Sequence, residues 1–310
     1  MGRRMLSRRT FLASSVAAAA VACTPGGGEG GGDNKKLVAP GLASDGAVPT
    51  ATPTWTPSPS PTPRARGFEE RLLLPGTLSE TNMLIRHSGV AGPAVMILGG
   101  VHGNEPGGWL AADEVATWEP QAGSLIVVPR ANVRALNAFV RTFDDIGDLN
   151  RLYPGSPDSA FLMEQMSYAF LQTCREFNVE TLLDMHESWA FYAEYPVGSG
   201  TGALGQTITA GIGPKQTDFA QRIAAIANPQ VSTREQFIIR DGTRFSRPDG
   251  TPVGSGPSSR GRSSLSAGGH VAGLTPVLIE MGQENQDLDR RIELHLITAR
   301  AVLGLEGVIA

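Results

Sequence analysis

Two short stretches of this chain hold residue types that could do chemistry together. In Gly99-Gly100-Val101-His102-Gly103-Asn104-Glu105, an imidazole and a carboxylate stand three positions apart, directly after the apolar run 94–98. In Leu182-Leu183-Asp184-Met185-His186-Glu187-Ser188, a second imidazole follows another apolar run. Two histidines and a carboxylate leave one position of a tetrahedral zinc site open, which is the pattern of catalytic rather than structural zinc. Zinc in such a site lowers the pKa of bound water toward ~7. His102, Glu105 and His186 are therefore expected to hold one Zn2+ per chain, and other first-row metals would suit the same ligands. A lone histidine beyond a strand is ordinarily a hydrogen-bonded core residue. A second one beside His-x-x-Glu at another strand end favours the ligand reading. The other three histidines lack that setting: His87 lies in a polar, turn-like stretch, His270 in a glycine-rich loop and His295 in a C-terminal helical pattern.

Hydrolysis also needs a base for the water and a proton for the leaving nitrogen. Glu280 ends the apolar run Val277-Leu278-Ile279, where burial would raise its pKa. Glu187 is its rival by position. A third constellation is Arg141 followed by Asp148-Leu149-Asn150-Arg151-Leu152-Tyr153-Pro154-Gly155. Asn150 and Arg151 can grip a substrate carboxylate, the arginine with a bidentate fork. Asp148 can accept the outer N–H of a metal-bound histidine. Arg141 can stabilise the oxyanion formed when a carbonyl is attacked, with Arg130 and Arg134 as alternatives.

These residues need elements to position them. Apolar runs at 94–98, 125–128, 181–183 and 277–279 read as interior strands, and helical patterns run over 106–118, 159–177, 216–227 and 287–305. Such alternation predicts a parallel or mixed sheet with helices on both faces. Ligands bind beyond the carboxyl ends of strands in such sheets, which is where the candidates cluster. The segment 234–273, rich in Gly, Ser, Pro and Arg, reads as loops with a hairpin near the site.

The rest of the chain sets the context. Residues 1–23 read as an export signal of twin-arginine type, Ser7-Arg8-Arg9-Thr10-Phe11-Leu12, ending in the lipobox-like Ala20-Val21-Ala22-Cys23. Residues 24–66 are Gly-rich and then Pro/Ser/Thr-rich, a composition that reads as a disordered tether. Residues 67–310 form one globular domain, expected outside the cytoplasm and held to the membrane by a lipid on Cys23. Eight of the 26 basic residues but only three of the 30 acidic ones precede Gly67, so 18 basic and 27 acidic residues remain and the domain carries −9. That balance argues against a nucleic-acid partner. With Cys23 lipidated, Cys174 has no partner for a disulfide and reads as a small buried hydrophobe.

Taken together, Gly-Gly-x-His-Gly-Asn-Glu, Pro-Arg-x-Asn, Arg…Asp-Leu-Asn-Arg-x-Tyr-Pro-Gly, Asp-x-His and a late strand-end Glu resemble the succinylglutamate desuccinylase/aspartoacylase family, which belongs with the zinc carboxypeptidases of M14 type. The resemblance runs through most of 94–282, in the family's order. It implies a mixed, roughly eight-stranded α/β sheet between helices. It also implies His102, Glu105 and His186 as zinc ligands and Glu280 as general base. Asn150 and Arg151 become carboxylate binders, Arg141 the carbonyl-polarising arginine and Asp148 the partner of a liganding histidine. Only 30 residues follow Glu280, so the C-terminal β-rich domain of aspartoacylases is not expected. The function expected is hydrolysis of an amide bond next to a carboxylate, in an N-acyl amino acid or a peptide. The alternative from another class is a non-catalytic, zinc-stabilised lipoprotein that binds cell-wall peptides.

Overall fold

The computed structural model describes residues 63–195, 202–211, 214–241 and 262–310. The export signal, Cys23, almost all of the tether and residues 242–261 of the loop-rich segment lie outside the described residues.

One eight-stranded sheet organises the domain. Its strands are β1 (Gly67–Leu73), β2 (Thr81–His87), β3 (Ala94–Leu98), β4 (Ser124–Val128), β5 (Val179–Ser188), β6 (Thr207–Ala210), β7 (Ile238–Asp241) and β8 (Thr275–Gly282). The order across the sheet is β1-β2-β4-β3-β5-β8-β6-β7. The central four, β4-β3-β5-β8, run parallel. β1 and β2 add an antiparallel edge, and β6 joins β8 antiparallel on the other side. The central strands are buried on both faces, which is why they read as continuous Val/Ile/Leu/Met runs rather than alternating ones.

Among the described residues, four α-helices lie between strands, α1 (Pro106–Val115), α2 (Val133–Ala138), α3 (Leu162–Phe177) and α4 (Pro214–Ala227), and α5 (Leu288–Leu305) follows the last strand. The side-chain period of two divides the core. Val95, Ile97, Leu183, Met185, Val277 and Ile279 pack beneath α1, α4 and α5. Met96, Leu98, Ile126 and Leu182 face α3 and Tyr153 on the other side. Cys174 is buried on α3, and burial pushes its thiol up to about 12.

The structure corrects several expectations. β5 and β8 do not stop at their last apolar residues. They stay paired through Asp184↔Leu278, His186↔Glu280 and Ser188↔Gly282, so His186 and Glu280 lie inside strands rather than beyond them. Backbone ladder bonds do not read side chains, and here the polar side chains find partners among themselves. His87 is the last residue of β2, and its Nδ1 lies 2.7 Å from Ser124 Oγ on β4. Within 234–273, Ile238–Asp241 is a strand parallel to β6, with α4 as the crossover. A parallel pair needs such a crossover, so this is not a hairpin. The edge strands β1 and β2 carried no clear signal because β1 alternates exposed and half-buried residues.

Candidate metal centre

His102 and Glu105 occupy the turn between β3 and α1. Pro106 opens the helix, where its missing N–H costs nothing, so Glu105 stands at the helix entrance. Gly103 lets this turn lie directly on α2, because a Cβ there would overlap the Ala135 backbone. The Gly103 N–H donates to the Arg141 carbonyl at 3.2 Å, which brings the arginine-bearing loop to the same spot. His186 comes from β5, next to β3 in the sheet.

All three side chains are buried, and one ligand atom from each lies within 4.8 Å of the others. His102 Nδ1 is 2.7 Å from Glu105 Oε1, and His186 Nδ1 is 2.9 Å from Glu105 Oε2. The two Nδ1 atoms are 3.1 Å apart. The outer nitrogens meet carboxylates: His102 Nε2 lies 3.2 Å from Asp148 Oδ1, and His186 Nε2 lies 2.9 Å from Asp184 Oδ2. The Asp148 carboxylate behind His102 accepts from Nε2 and turns that ring's Nδ1 inward, and Asp184 stands at ion-pair distance behind His186. Two imidazole nitrogens beside a carboxylate form a donor set that would suit zinc.

The charges agree with this arrangement. Burial by itself would raise Glu105, but the flanking His102 and His186 imidazoles hold it well below the usual carboxylate range. Asp148 is likewise held low, against burial, by His102 and then by Arg141 and Arg151. Burial opposes a charge on His186, yet Asp184 and Glu105 raise it well above the usual imidazole value.

Glu280 faces this cluster from β8, directly opposite His186 in the strand register. Burial first, and then repulsion from Glu105, raises its pKa to about 7, with His186 pulling the other way. The rival Glu187 points to the opposite face of the sheet, because neighbours along a strand alternate. There it pairs with Arg291 at 2.7 Å.

Asp148 caps the 3-10 turn Leu149–Arg151 by accepting the Asn150 N–H at 2.9 Å. Its Oδ2 accepts from Arg141 Nη2 at 3.2 Å, and Arg141 Nη1 stands 3.6 Å from Glu105 Oε1. Arg141 thus sits at the open rim, with 43% of its side chain exposed. Asn150 is more committed than its sequence suggested. Its Oδ1 accepts the Ser264 N–H at 2.9 Å, and its Nδ2 lies 3.4 Å from His186 Nε2. Arg151 Nη1 donates to the Asn150 carbonyl at 2.7 Å. The alternatives Arg130 and Arg134 pair with Asp113 and Asp145 and have no contact with the cluster. Asp184 is the residue sequence reasoning passed over. The signal was present: in Asp184-Met185-His186 the two polar residues share one face of a strand.

Comparison with known proteins fits this geometry. Residues 91–194 match the succinylglutamate desuccinylase/aspartoacylase catalytic domain. An N-alpha-acetyl-L-2,4-diaminobutyric acid deacetylase from Halomonas elongata is 33% identical over 99 residues, 31% of this chain and 28% of the relative. Among solved structures, the product-bound cell shape determinant Csd4 from Helicobacter pylori has a TM-score of 0.57 at 16% identity, over 78% of this chain and 56% of that one. A succinylglutamate desuccinylase/aspartoacylase from Rhodobacter sphaeroides scores 0.53 at 17% identity, over 79% and 66%. The chain thus spans just over a quarter of the deacetylase and about half of Csd4, and at these identities the structural likeness concerns the fold. Over residues 91–194 the chain is thus similar to the succinylglutamate desuccinylase/aspartoacylase catalytic domain, and its mixed eight-stranded sheet is the fold of the solved neighbours.

Proposed function

We propose that this protein is a zinc-dependent hydrolase that cleaves an amide bond next to a carboxylate. The observation that carries the proposal is the inward convergence of His102 Nδ1, His186 Nδ1 and the Glu105 carboxylate, each imidazole backed by its own carboxylate. Zinc held there would act as a Lewis acid and make water acidic enough to attack at neutral pH. Glu280 takes the proton from water and returns it to the leaving nitrogen; a buried carboxyl titrating near neutrality suits both roles. Arg141, anchored on Asp148 at the rim, directs its remaining donors at the carbonyl oxygen as negative charge develops. Arg151, seated beside it, takes the substrate carboxylate, and Asn150 holds that corner through Ser264.

Two relatives indicate which amides to test. Solved forms of Csd4 hold a tripeptide and mDAP, and the Halomonas relative is a deacetylase of an N-acetylated amino acid. We place the domain outside the cytoplasm, tethered through a lipid on Cys23, where peptides of the cell wall would be within reach. Loss of lipid labelling in a Cys23→Ser variant tests the anchor.

The deciding experiment is metal analysis of the full chain, combined with chelator-reversible hydrolysis of a panel of N-acyl amino acids and C-terminal peptides. One zinc per chain, with activity lost to chelator and restored by zinc, is expected. The reactive half of the panel assigns deacylase or carboxypeptidase chemistry. Bound zinc without turnover on any amide would favour a peptide-binding lipoprotein, and no bound metal would overturn the proposal.

A further inference from the structure

Behind the metal cluster, on the opposite face of the sheet, lies a second buried charged group that the proposed reaction does not use. Glu187 follows His186 on β5 and is completely buried as a side chain. Its Oε2 accepts from Arg291 Nη1 on α5 at 2.7 Å and from Gln283 Nε2 at 3.0 Å. Gln283 Nε2 also donates to the Asn104 carbonyl at 3.1 Å, next to Glu105. The other oxygen, Oε1, presses on Gly107 in the first turn of α1, where a Cβ would overlap it. Burial raises the Glu187 carboxyl, and Arg291, Gln283 and the Gly107 N–H offset that rise. The Glu187 backbone N–H donates to Glu105 Oε2 at 3.1 Å, the same oxygen that faces His186.

Apart from the pair with Arg291, these contacts end near Glu105 or on Glu105 itself. A carboxylate is a useful ligand only if its oxygens are held where the metal sits, and such supporting contacts typically set metal affinity by 10–100-fold. We infer that Glu187, clamped by Arg291 and Gln283, is a positioning residue that locks Glu105 in its metal-binding orientation by fixing Asn104 and Gly107 on either side of it. The inference rests on the metal reading of the site. It assigns the task to α5, an element that supplies no ligand.

The test is zinc affinity of the full chain, measured by competition with a chromophoric chelator, alongside thermal unfolding of the metal-free protein. Gly107→Ala keeps both charges but adds a methyl that would overlap Glu187 Oε1, so the carboxylate must shift. Ala is also the better helix former. The double variant Glu187→Gln with Arg291→Met removes both charges together, which avoids leaving one buried ion alone. Both are expected to lose about 10–100-fold in zinc affinity, with a cooperative unfolding transition of the metal-free protein showing that each variant is folded. Wild-type affinity in both variants would overturn the positioning role and leave the metal site standing. Absence of zinc binding in the wild type would instead overturn the metal site, and this inference with it.

Discussion

The two faces of the sheet at its carboxyl end each bury a charged cluster, and the clusters differ in whether they close on themselves. On one face, His102, Glu105 and His186 converge as acceptors, with Asp148, Asp184 and Glu280 around them. Among the described residues, apart from the protons of the imidazoles, positive charge enters from Arg141 at the rim, from Arg151 nearby and from Arg240 beside Glu280. On the other face, Glu187 has a guanidinium, an amide and a helix N-terminus pressed against it. The second cluster pairs its opposite charges, although Glu187 Oε1 and Arg291 Nε have no hydrogen-bond partner, and reads as a strut. The first gathers more negative than positive groups, at a cost in self-repulsion that a bound cation would relieve. Two adjacent residues of one strand, His186 and Glu187, belong to these opposite situations because the pleat alternates. Residue type therefore did not decide which buried glutamate faces the His102–Glu105–His186 cluster; strand parity did.

The contrast can be tested by experiments on either face, beginning with the largest effect. His186→Ala should abolish zinc binding and with it all chelator-sensitive turnover; retained stoichiometric zinc would move the metal elsewhere. Glu280→Gln should keep the zinc and lower kcat by about 10²–10⁴-fold, the usual contribution of a general base. Undiminished turnover would remove Glu280 from the mechanism. On the opposite face, Arg291→Met leaves Glu187 charged, buried and without its cation. Such a loss costs about 3–5 kcal/mol in denaturant unfolding, and a change below 1 kcal/mol would show the strut to be dispensable for stability. Asp184→Asn should reduce zinc affinity by about 10–100-fold with little effect on the fold of the metal-free protein, since Asn keeps the shape and loses the charge behind His186.

A further effect appears only in acid. His295 on α5 is buried without a hydrogen-bond partner, and burial, followed by repulsion from His186, lowers its pKa to about 3. The unfolded chain therefore takes up this proton near pH 6.5 while the folded chain resists it until about pH 3. Stability that is complete above pH 6.5 is lost as pH falls, by up to about 1.4 kcal/mol per pH unit from this group. Unfolding curves of His295→Leu should be flatter across that interval than those of the wild type, and equal slopes would show that His295 does not contribute.

Much of this was legible along the chain. The four central strands and four of the helices announce themselves by continuous apolar runs and helical periodicity, and each of those helices ends within three residues of its expected bounds. The edge strands and β7 did not, because partial burial leaves mixed residue types and short strands give too few periods to count. Among site residues, His102 and Glu105 were visible because a turn of glycines between a strand and a helix forces them together. Asp184 was missed because its role depends on which face of β5 it shares with His186, once polar side chains extend the strand past its apolar stretch.

The sequence by itself determined the chemistry available: two imidazoles and a carboxylate with zinc-ligand character, a late glutamate, and arginines near an Asp-Leu-Asn-Arg run. Those depend on residue type and local spacing, which the chain carries without folding. Only the tertiary structure decided which glutamate faces the cluster, that Asn150 is held by Ser264 from a distant segment, and that α5 reaches through Arg291 to the residues around Glu105. These are matters of strand parity and of contacts across more than a hundred residues, and neither can be read until the sheet has set its register.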